Sequence, residues 1–286
     1  MILVTGATGH LGTTVIDQLL KHTDPKNIAA LVRDESKATH LKDKGVSIRL
    51  GSFDDVASLD KAMNGVEKVL LISGLDAERF QQHKNVIDAA KRAGVQQLAY
   101  TSVSMKDFNN SAIKSLMESH FQTEDYLKAS GLSYTILRNT LYMDGITSFA
   151  GEHVLETGIN LPSASGKVPY ALRREMGEAA ANALLQAGHE NKTYEITGSA
   201  LYSYGDVARE LSDLSGKTVV YNDVDAETFP AHLKELGVPD IGIFIVSGFS
   251  ADIKNGQYEL VGNDLEHLLG RKPASLHDGL KEIFKL

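Results

Sequence analysis

Three glycines near the start of the chain, Gly6, Gly9 and Gly12, have the spacing of a loop that can bind a diphosphate. They follow an apolar run over residues 2–5 and precede a segment with helical periodicity over 11–22. In that context Gly6 permits a tight turn, Gly9 lets main-chain N–H groups approach a phosphate, and Gly12 lets the helix pack closely on the strand. The helix N-terminus adds a partial positive charge and free N–H groups. The loop therefore predicts a nicotinamide dinucleotide site, in preference to three glycines that only turn the chain.

Arg33 and Asp34 bear on which dinucleotide binds. They end the second predicted strand, about 20 residues past the loop, where a residue that contacts the adenine ribose is expected. The Arg33 guanidinium can pair with a 2′-phosphate and stack on adenine, which favours NADPH. Asp34 could instead accept a hydrogen bond from the 2′-OH of NADH, and Arg33 could be an ordinary surface arginine. We predict NADPH as the preferred cofactor and NADH as the lesser one.

The ends of the third and fourth predicted strands supply further candidates by position. Phe53 follows the third strand and is placed to border the adenine. Ser73 and Gly74 follow the fourth strand, at the edge of the sheet where the nicotinamide half of the cofactor would lie. Phe53 could equally be a packing residue and Ser73 a turn residue, so both interpretations stay open.

Short β-branched runs alternate with amphipathic segments through most of the first two hundred residues, which is the pattern of an α/β protein. One helix is predicted over Gln82–Ala93, with Gly94 as its C-cap. Strands that alternate with helices of about 10 to 15 residues predict parallel βαβ units and a Rossmann-type, doubly wound sheet. The predicted strands are Ile2–Thr5, Ile28–Val32, Ser47–Leu50, Lys68–Ser73, Gln97–Ser102, Tyr134–Arg138 and Thr193–Thr197.

The strand–helix alternation stops after Asn139. Residues 144–170 are rich in glycine, proline and serine, and the region from about 217 to 286 reads as helices and loops. We predict a nucleotide-binding domain over 1–143 and 171–216, and a smaller, mainly C-terminal substrate-binding lobe over 144–170 and 217–286.

Composition limits the classes of protein and partner. The chain has 286 residues with 42% hydrophobic and 23% charged residues, which is typical of a globular protein. Its net charge is −8 and its basic residues are scattered, so we expect neither nucleic acid nor a membrane surface as partner. The absence of cysteine excludes disulfides, thiolate metal sites and a cysteine nucleophile. Without a signal peptide or a long apolar run, a cytoplasmic location is expected.

Several stretches give the chain a wider resemblance. It resembles the NmrA-like group of atypical short-chain dehydrogenase/reductases, and within it the NADPH-dependent quinone oxidoreductases and triphenylmethane reductases. The narrower motifs are Arg138-Asn139-x-x-Tyr142 and Gly188-His189-Glu190-x-Lys192. The matching stretches are residues 4–12, 31–33, 82–91, 99–102, 137–142, 188–194 and 214–217.

The resemblance implies a set of cofactor contacts. Asn139, after a predicted strand, could reach the nicotinamide end, and Tyr142 could border the substrate pocket or pack beneath the lobe. The implied contact residues are Gly6, Ala7, Thr8, Gly9, His10, Leu11, Arg33, the turn at Ser73 and Gly74, and the segment of Asn139, Thr140, Leu141 and Tyr142 that continues to Asp144; Phe53 is a candidate by position alone.

The catalytic pair of ordinary short-chain dehydrogenases is missing. No tyrosine is followed four positions later by lysine, and the corresponding stretch begins at His120. We take His120, with its near-neutral reference pKa, as the candidate proton donor and Tyr142 as a second candidate catalytic residue, although His120 could equally lie on a helix surface. The histidines show no metal-ligand spacing, so no metal is predicted.

Two functions remain, with a third less favoured. The first is an NADPH-dependent reductase of quinones or similar conjugated acceptors, because an electron-poor acceptor needs less acid catalysis than an alcohol or ketone. The second is a redox-sensing regulator that binds NADP(H) without turnover, which the missing tyrosine–lysine pair also permits. A nucleotide-sugar epimerase would need that pair. A homodimer is possible, and the sequence does not predict the oligomeric state.

Overall fold

The protein, described by a computed structural model over residues 1–151 and 153–286, contains a seven-stranded sheet in the order β3-β2-β1-β4-β5-β6-β8. Each neighbouring pair from β3 through β6 is parallel. The strands of this sheet are β1 (Ile2–Val4), β2 (Ile28–Val32), β3 (Ser47–Leu50), β4 (Lys68–Leu71), β5 (Gln97–Val103), β6 (Ser133–Asn139) and β8 (Lys192–Ile196). A second sheet holds β7 (Ile159–Asn160) and β9 (Tyr221–Asn222).

Helices connect the strands and form most of the C-terminal region. A close approach between two of them depends on Gly177, where an added Cβ would lie 2.6 Å from the Thr14 side chain. The α-helices are α1 (His10–Leu19), α2 (Thr39–Asp43), α3 (Val56–Ala62), α4 (Arg79–Arg92), α5 (Lys114–Ala129), α6 (Ile146–Ala150), α7 (Val154–Thr157), α8 (Arg173–Leu185), α9 (Tyr204–Ser215), α10 (Phe229–Glu235), α11 (Asp240–Lys254), α12 (Asp264–Leu269) and α13 (Leu276–Phe284).

The strand order identifies where a ligand can bind. Chain order runs outward in one direction from β1 to β3 and in the other from β4 to β6, so the sheet reverses between β1 and β4. Every residue of β2 and β5 is buried, as expected for central strands covered by helices on both faces. In such sheets ligands bind beyond the carboxyl ends of the strands at the reversal point. The predicted Rossmann-type fold is confirmed.

The chain divides into two compact units. The first contains residues 1–103, 118–139 and 173–194, and the second contains 104–117, 140–172 and 195–286. The second unit therefore includes residues 104–117 and 195–216, which the sequence had assigned to the nucleotide-binding domain.

Hydrogen bonds within the second unit explain this assignment for residues 104–117. Lys106 donates its N–H to the carbonyl of Gln257 at 2.8 Å. Asp252, which is fully buried, accepts from the Ser111 hydroxyl at 2.5 Å and from the Ala112 N–H at 2.7 Å. The partners are far apart in sequence, so only the folded chain reveals them.

Most predicted elements agree with the structure to within a few residues. The strand predicted over Lys68–Ser73 ends at Leu71, and the helix predicted to begin at Gln82 begins at Arg79. Gly94 has a φ of +72°, which suits the left-handed residue that ends a helix. The helical C-terminal region also contains the short strand β9, which the sequence did not indicate.

A buried carboxylate joins α5 to strands β5 and β6. Glu124, 1% exposed, accepts hydrogen bonds from Ser102 Oγ at 2.7 Å and from Arg138 Nε at 2.9 Å and Nη2 at 2.7 Å. Burial tends to raise the pKa of Glu124, but the bonds and charges from Arg138 and Ser102, with the charge of Lys128, outweigh it and lower the pKa. The ionised carboxylate therefore stabilises the folded state.

We expect Glu124→Gln to lower the free energy of unfolding at pH 7 by roughly 3 kcal/mol, because Arg138 loses its carboxylate partner. A lowered pKa stabilises the folded state above the unfolded-state pKa, and this contribution is lost as pH falls through the folded-state pKa. The difference between wild type and variant in urea unfolding should therefore shrink below about pH 4. A difference that stays constant from pH 7 to pH 3 would contradict this prediction.

Candidate active site

The turn after β1 brings main-chain atoms unusually close together. Gly6 has a φ of +58°, a conformation that favours glycine. A Cβ on Gly12 would lie against the carbonyl oxygen of Gly6 and 2.8 Å from Ala7 Cα. The Gly9 N–H donates to the Gly6 carbonyl at 3.0 Å, which closes the turn before α1 starts at His10.

This turn fits a diphosphate. Gly9 is the N-cap of α1 and provides no side-chain hydrogen bond to the first N–H groups of the helix. Those N–H groups can therefore donate to a ligand, and the helix dipole favours an anion there. No side chain fills the space above Gly9, where an added Cβ would have only the Gly6 carbonyl oxygen nearby, at 3.2 Å.

The turn after β4 is linked to the neighbouring strands by hydrogen bonds. The Ile72 N–H donates to Thr5 Oγ1 at 2.9 Å, and the Ser73 N–H donates to Thr101 Oγ1 at 3.0 Å. The carbonyl of Gly74 accepts from the guanidinium of Arg79 at 2.8 Å. Ser73 and Gly74 therefore lie in an anchored turn beside the glycine loop, and their contact with a cofactor stays a prediction.

Arg33 and Asp34 have different environments at the end of β2. Asp34 Oδ1 accepts from both the N–H of Ser36 at 2.9 Å and its hydroxyl at 2.7 Å. These bonds to Ser36 lower the pKa of Asp34. Arg33 is exposed, so its guanidinium can contact a ligand. The structure thus gives Asp34 a turn-capping role, and the pairing of Arg33 with a 2′-phosphate stays a prediction.

Phe53 contacts the protein interior. Its ring makes an edge contact with His83 at a centroid distance of 6.4 Å, and its carbonyl accepts from the Asn85 side chain at 2.9 Å. The structure supports the packing role that the sequence had left open, and the contact with adenine stays a prediction.

The segment after β6 runs from the first unit into the second. Asn139, the last residue of β6, is buried. In the second unit the Thr140 N–H donates to the Ile196 carbonyl at 3.0 Å, and Leu141 and Tyr142 are partly exposed. Tyr142 precedes a short 3₁₀ turn and forms a β-bridge with Ala171. Their roles in cofactor or substrate binding stay predictions.

His120 lies in a buried polar network of the first unit. Its Nδ1 is 2.9 Å from the hydroxyl oxygen of Tyr100. Arg79, 2% exposed, donates from Nε at 2.8 Å and from Nη2 at 2.6 Å to Oγ of Ser119, the residue before His120. The His83 Nδ1 is 3.0 Å from Thr123 Oγ1 in the next turn of the same helix.

This environment corrects the expectation that His120 titrates near neutral pH. Burial, and then the charge of Arg79, lowers the pKa of His120 well below its ordinary value. The same two causes lower the pKa of His83 to about 3. His120 is 7% exposed, so the surface position considered for it is also wrong. At neutral pH the His120 ring is uncharged.

The second unit contains an apolar pocket of about 500 Å³. Helix α11 supplies much of its wall, with Ile243, Phe244 and Ala251. Ile113 and Pro162 form other parts of the lining. The size and lining suit a small apolar ligand.

Comparison with known proteins identifies the family. The NmrA-like family profile matches residues 1–277. This chain belongs to the NmrA-like family. The family predicted from the sequence motifs is confirmed.

Named relatives span the whole chain. Quinone oxidoreductase 2 of Escherichia coli K12 is 37% identical over 100% of this chain and 99% of its own length. The crystal structure of an Escherichia coli NADPH-dependent quinone oxidoreductase with NADPH has a TM-score of 0.93 at 35% identity, covering 99% of this chain and 100% of that one. The Citrobacter sp. triphenylmethane reductase complexed with NADP(H) has a TM-score of 0.93 at 37% identity, with coverage of 99% and 100%.

Arg79 and Tyr100 of this NmrA-like protein, which belong to the buried network around His120, were not predicted from the sequence. Tyr100 offered one signal, because a tyrosine within the otherwise buried run 97–103 needs a hydrogen-bond partner. Arg79 lay just before the predicted start of its helix and is separated from Ser119 by 40 residues. Nothing in the local sequence marks that pair.

Within residues 1–151 and 153–286, no three histidine or acidic side chains are grouped so that they could bind a metal ion. No helix there has the length and apolarity needed to cross a bilayer.

Two glycine variants should separate cofactor binding from folding. We expect Gly9→Ala to fold normally but to lose most of its affinity for NADPH, because its methyl group would occupy the space that a phosphate needs. Gly12→Ala should lower the free energy of unfolding by about 1–3 kcal/mol, because its Cβ overlaps the Gly6 carbonyl. Calorimetric titration with NADPH and urea unfolding measure the two effects. Equal NADPH affinity in Gly9→Ala and wild type would contradict the proposed site.

Proposed function

We propose that this protein is an NADPH-dependent reductase of quinones and similar flat, conjugated acceptors. The observation that carries the proposal is the glycine turn, where the carbonyl of Gly6 and the start of α1 leave room only for main-chain atoms and a ligand. NADPH, when bound, supplies the hydride for the reduction. The prediction of an NADPH-dependent oxidoreductase made from the sequence is confirmed by the named activities of its relatives.

Residues of the first unit would hold the cofactor by distinct interactions. Main-chain N–H groups over residues 10–12 would bind the diphosphate, and Arg33 would pair with the 2′-phosphate. The anchored turn at Ser73 and Gly74 would face the nicotinamide ribose, and Asn139 would donate its side-chain amide near the nicotinamide. These assignments rest on the geometry of each residue and on the parallel strand ends that bring them to one edge of the sheet.

The missing tyrosine–lysine pair favours an electron-poor acceptor over a sugar nucleotide, because a quinone accepts hydride without strong acid catalysis. A homodimer and a cytoplasmic location stay predictions.

The alternative function is a redox sensor that binds NADP(H) without turnover. NADPH oxidation measured with a panel of quinones decides between the reductase and the sensor, because a sensor binds NADPH but does not oxidise it with any acceptor. NADPH binding without turnover would overturn the enzyme proposal and support the sensor.

Arg33→Ala tests the choice of cofactor. We expect it to lower kcat/KM with NADPH by about 10-fold or more while leaving NADH nearly unchanged, because the lost charge-assisted pair contacts only the 2′-phosphate. The measurement compares NADPH and NADH oxidation with one quinone. Lys21→Ala, at another exposed basic residue of the first unit, is the control and should leave the ratio unaltered. An unchanged preference in Arg33→Ala would show that Arg33 does not contact the phosphate.

A further inference from the structure

The hydrogen bond between Tyr100 and His120 selects one form of the histidine ring. A phenol is a better hydrogen-bond donor than acceptor, and a neutral imidazole nitrogen is a good acceptor. The Tyr100 hydroxyl lies 2.9 Å from His120 Nδ1, where these preferences favour the phenol as the donor. A neutral ring that accepts at Nδ1 must carry its proton on Nε2.

The neighbouring histidine has the opposite arrangement. The Thr123 hydroxyl donates to the Ser119 carbonyl at 2.7 Å, so its oxygen can only accept from His83 Nδ1 at 3.0 Å. His83 therefore carries its proton on Nδ1, and its Nε2 is buried without a hydrogen-bond partner among the described residues. His83 is thus a structural member of the network, with no N–H directed toward a ligand.

The Nε2 atom of His120 is available to a ligand. It makes no hydrogen bond within the described part of the chain, and it is not one of the fully buried atoms that lack a partner. The 7% of His120 that remains exposed therefore includes this atom. An N–H at that place can donate to an oxygen outside the protein core.

The charges around His120 disfavour a second proton on the ring. The groups that face it are Tyr100 from β5, Arg79 and His83 from α4, and Glu124 one turn further along its own helix. Glu124 is held by Arg138 and Lys128, whereas Arg79 donates to the neutral oxygens of Ser119 and Gly74. Burial, and then the positive charge of Arg79, disfavours protonation of His120 and so lowers its pKa.

We propose that Tyr100 and Arg79 hold His120 as a neutral imidazole whose Nε2–H donates a hydrogen bond to the oxygen of the acceptor as it gains negative charge. The inference rests on the proposed reductase function and assigns the oxyanion-stabilising group of that reaction. His120 is then the catalytic residue, and Tyr100 and Arg79 are positioning residues. A neutral imidazole can stabilise an oxyanion by hydrogen bonding without transferring its proton.

The reaction balances without an acidic histidine. Hydride transfer from NADPH gives the quinone two electrons and leaves one oxygen as an anion. His120 Nε2–H donates a hydrogen bond to that oxygen and keeps its proton. A proton from solvent then completes the hydroquinone, so the whole reaction consumes one NADPH, one quinone and one proton.

The Arg79 side chain also links His120 to the predicted cofactor turn. One end of its guanidinium donates to Ser119, beside His120, and the other donates to the carbonyl of Gly74. The planar guanidinium of Arg79 therefore bonds both to the residue that precedes His120 and to the turn after β4.

Nuclear magnetic resonance of ¹⁵N-histidine-labelled protein with bound NADP⁺ tests the ring directly. We expect His120 to show the Nε2–H tautomer and no titration between pH 5.5 and 8.5, with its signals assigned from His120→Gln. Tyr100→Phe removes the hydroxyl that selects this tautomer and should introduce the Nδ1–H form. An Nδ1–H tautomer in the wild type, or a titration within that range, would overturn the inference.

Steady-state kinetics test the catalytic role. His120→Leu, which has no donor, should lower kcat for a naphthoquinone about 100-fold with little change in the KM for NADPH. His120→Gln, whose amide N–H can replace the donor, should recover part of this loss. Tyr100→Phe should lower kcat by a smaller factor. The control is Tyr126→Phe, which removes another tyrosine hydroxyl of the first unit, one that donates to Asp88, and it should leave kcat unchanged.

The two proposals fail in different ways. If wild-type protein reduces quinones with NADPH and His120→Leu has the same kcat, the role of His120 is overturned and the reductase function stands. If wild-type protein binds NADPH but reduces no quinone, the reductase function itself is overturned, and with it the role of His120 in the reaction. Circular dichroism of each variant shows whether a lost activity reflects a lost fold.

Discussion

The close approach of main-chain atoms at the first turn is the constraint on which the site depends. Gly12 packs directly over the carbonyl of Gly6, and Gly6 itself has a left-handed conformation. Only glycine satisfies both demands without strain. The strand, the turn and α1 must therefore assemble in one arrangement, and that arrangement presents unbonded N–H groups at the reversal point of the sheet.

Two arginines of the first unit, Arg138 and Arg79, have different hydrogen-bond partners. Arg138 bonds through two nitrogens to Glu124, so its charge is balanced beside a buried carboxylate. Arg79 donates to the neutral oxygens of Ser119 and Gly74. Burial, and then the charge of Arg79, lowers the pKa of both His83 and His120. The network is therefore built to keep imidazole rings uncharged, which suits hydrogen-bond donation better than proton transfer.

These features agree with a reaction that needs little acid catalysis. An ordinary short-chain dehydrogenase relies on a tyrosine activated by a lysine, whereas burial here raises the pKa of Tyr100. Such a tyrosine is suited to orienting a neighbour and is a poor acid. Electron-poor acceptors, which accept hydride readily, match this chemistry, and so do the named activities of the relatives with matching folds.

The sequence by itself determined the fold class, the family and the glycine turn, because these depend on local patterns. The spacing of apolar residues reveals strands and helices. Gly6 and Gly12 are recognisable because they stand where a predicted strand meets a predicted helix. Tertiary structure alone decided the surroundings of His120. Its position on α5 was compatible with an exposed, titrating ring, and only the contacts from Tyr100 and Arg79 make it buried and neutral. Burial and charge at one atom depend on groups distant in sequence, so no local pattern could reveal them.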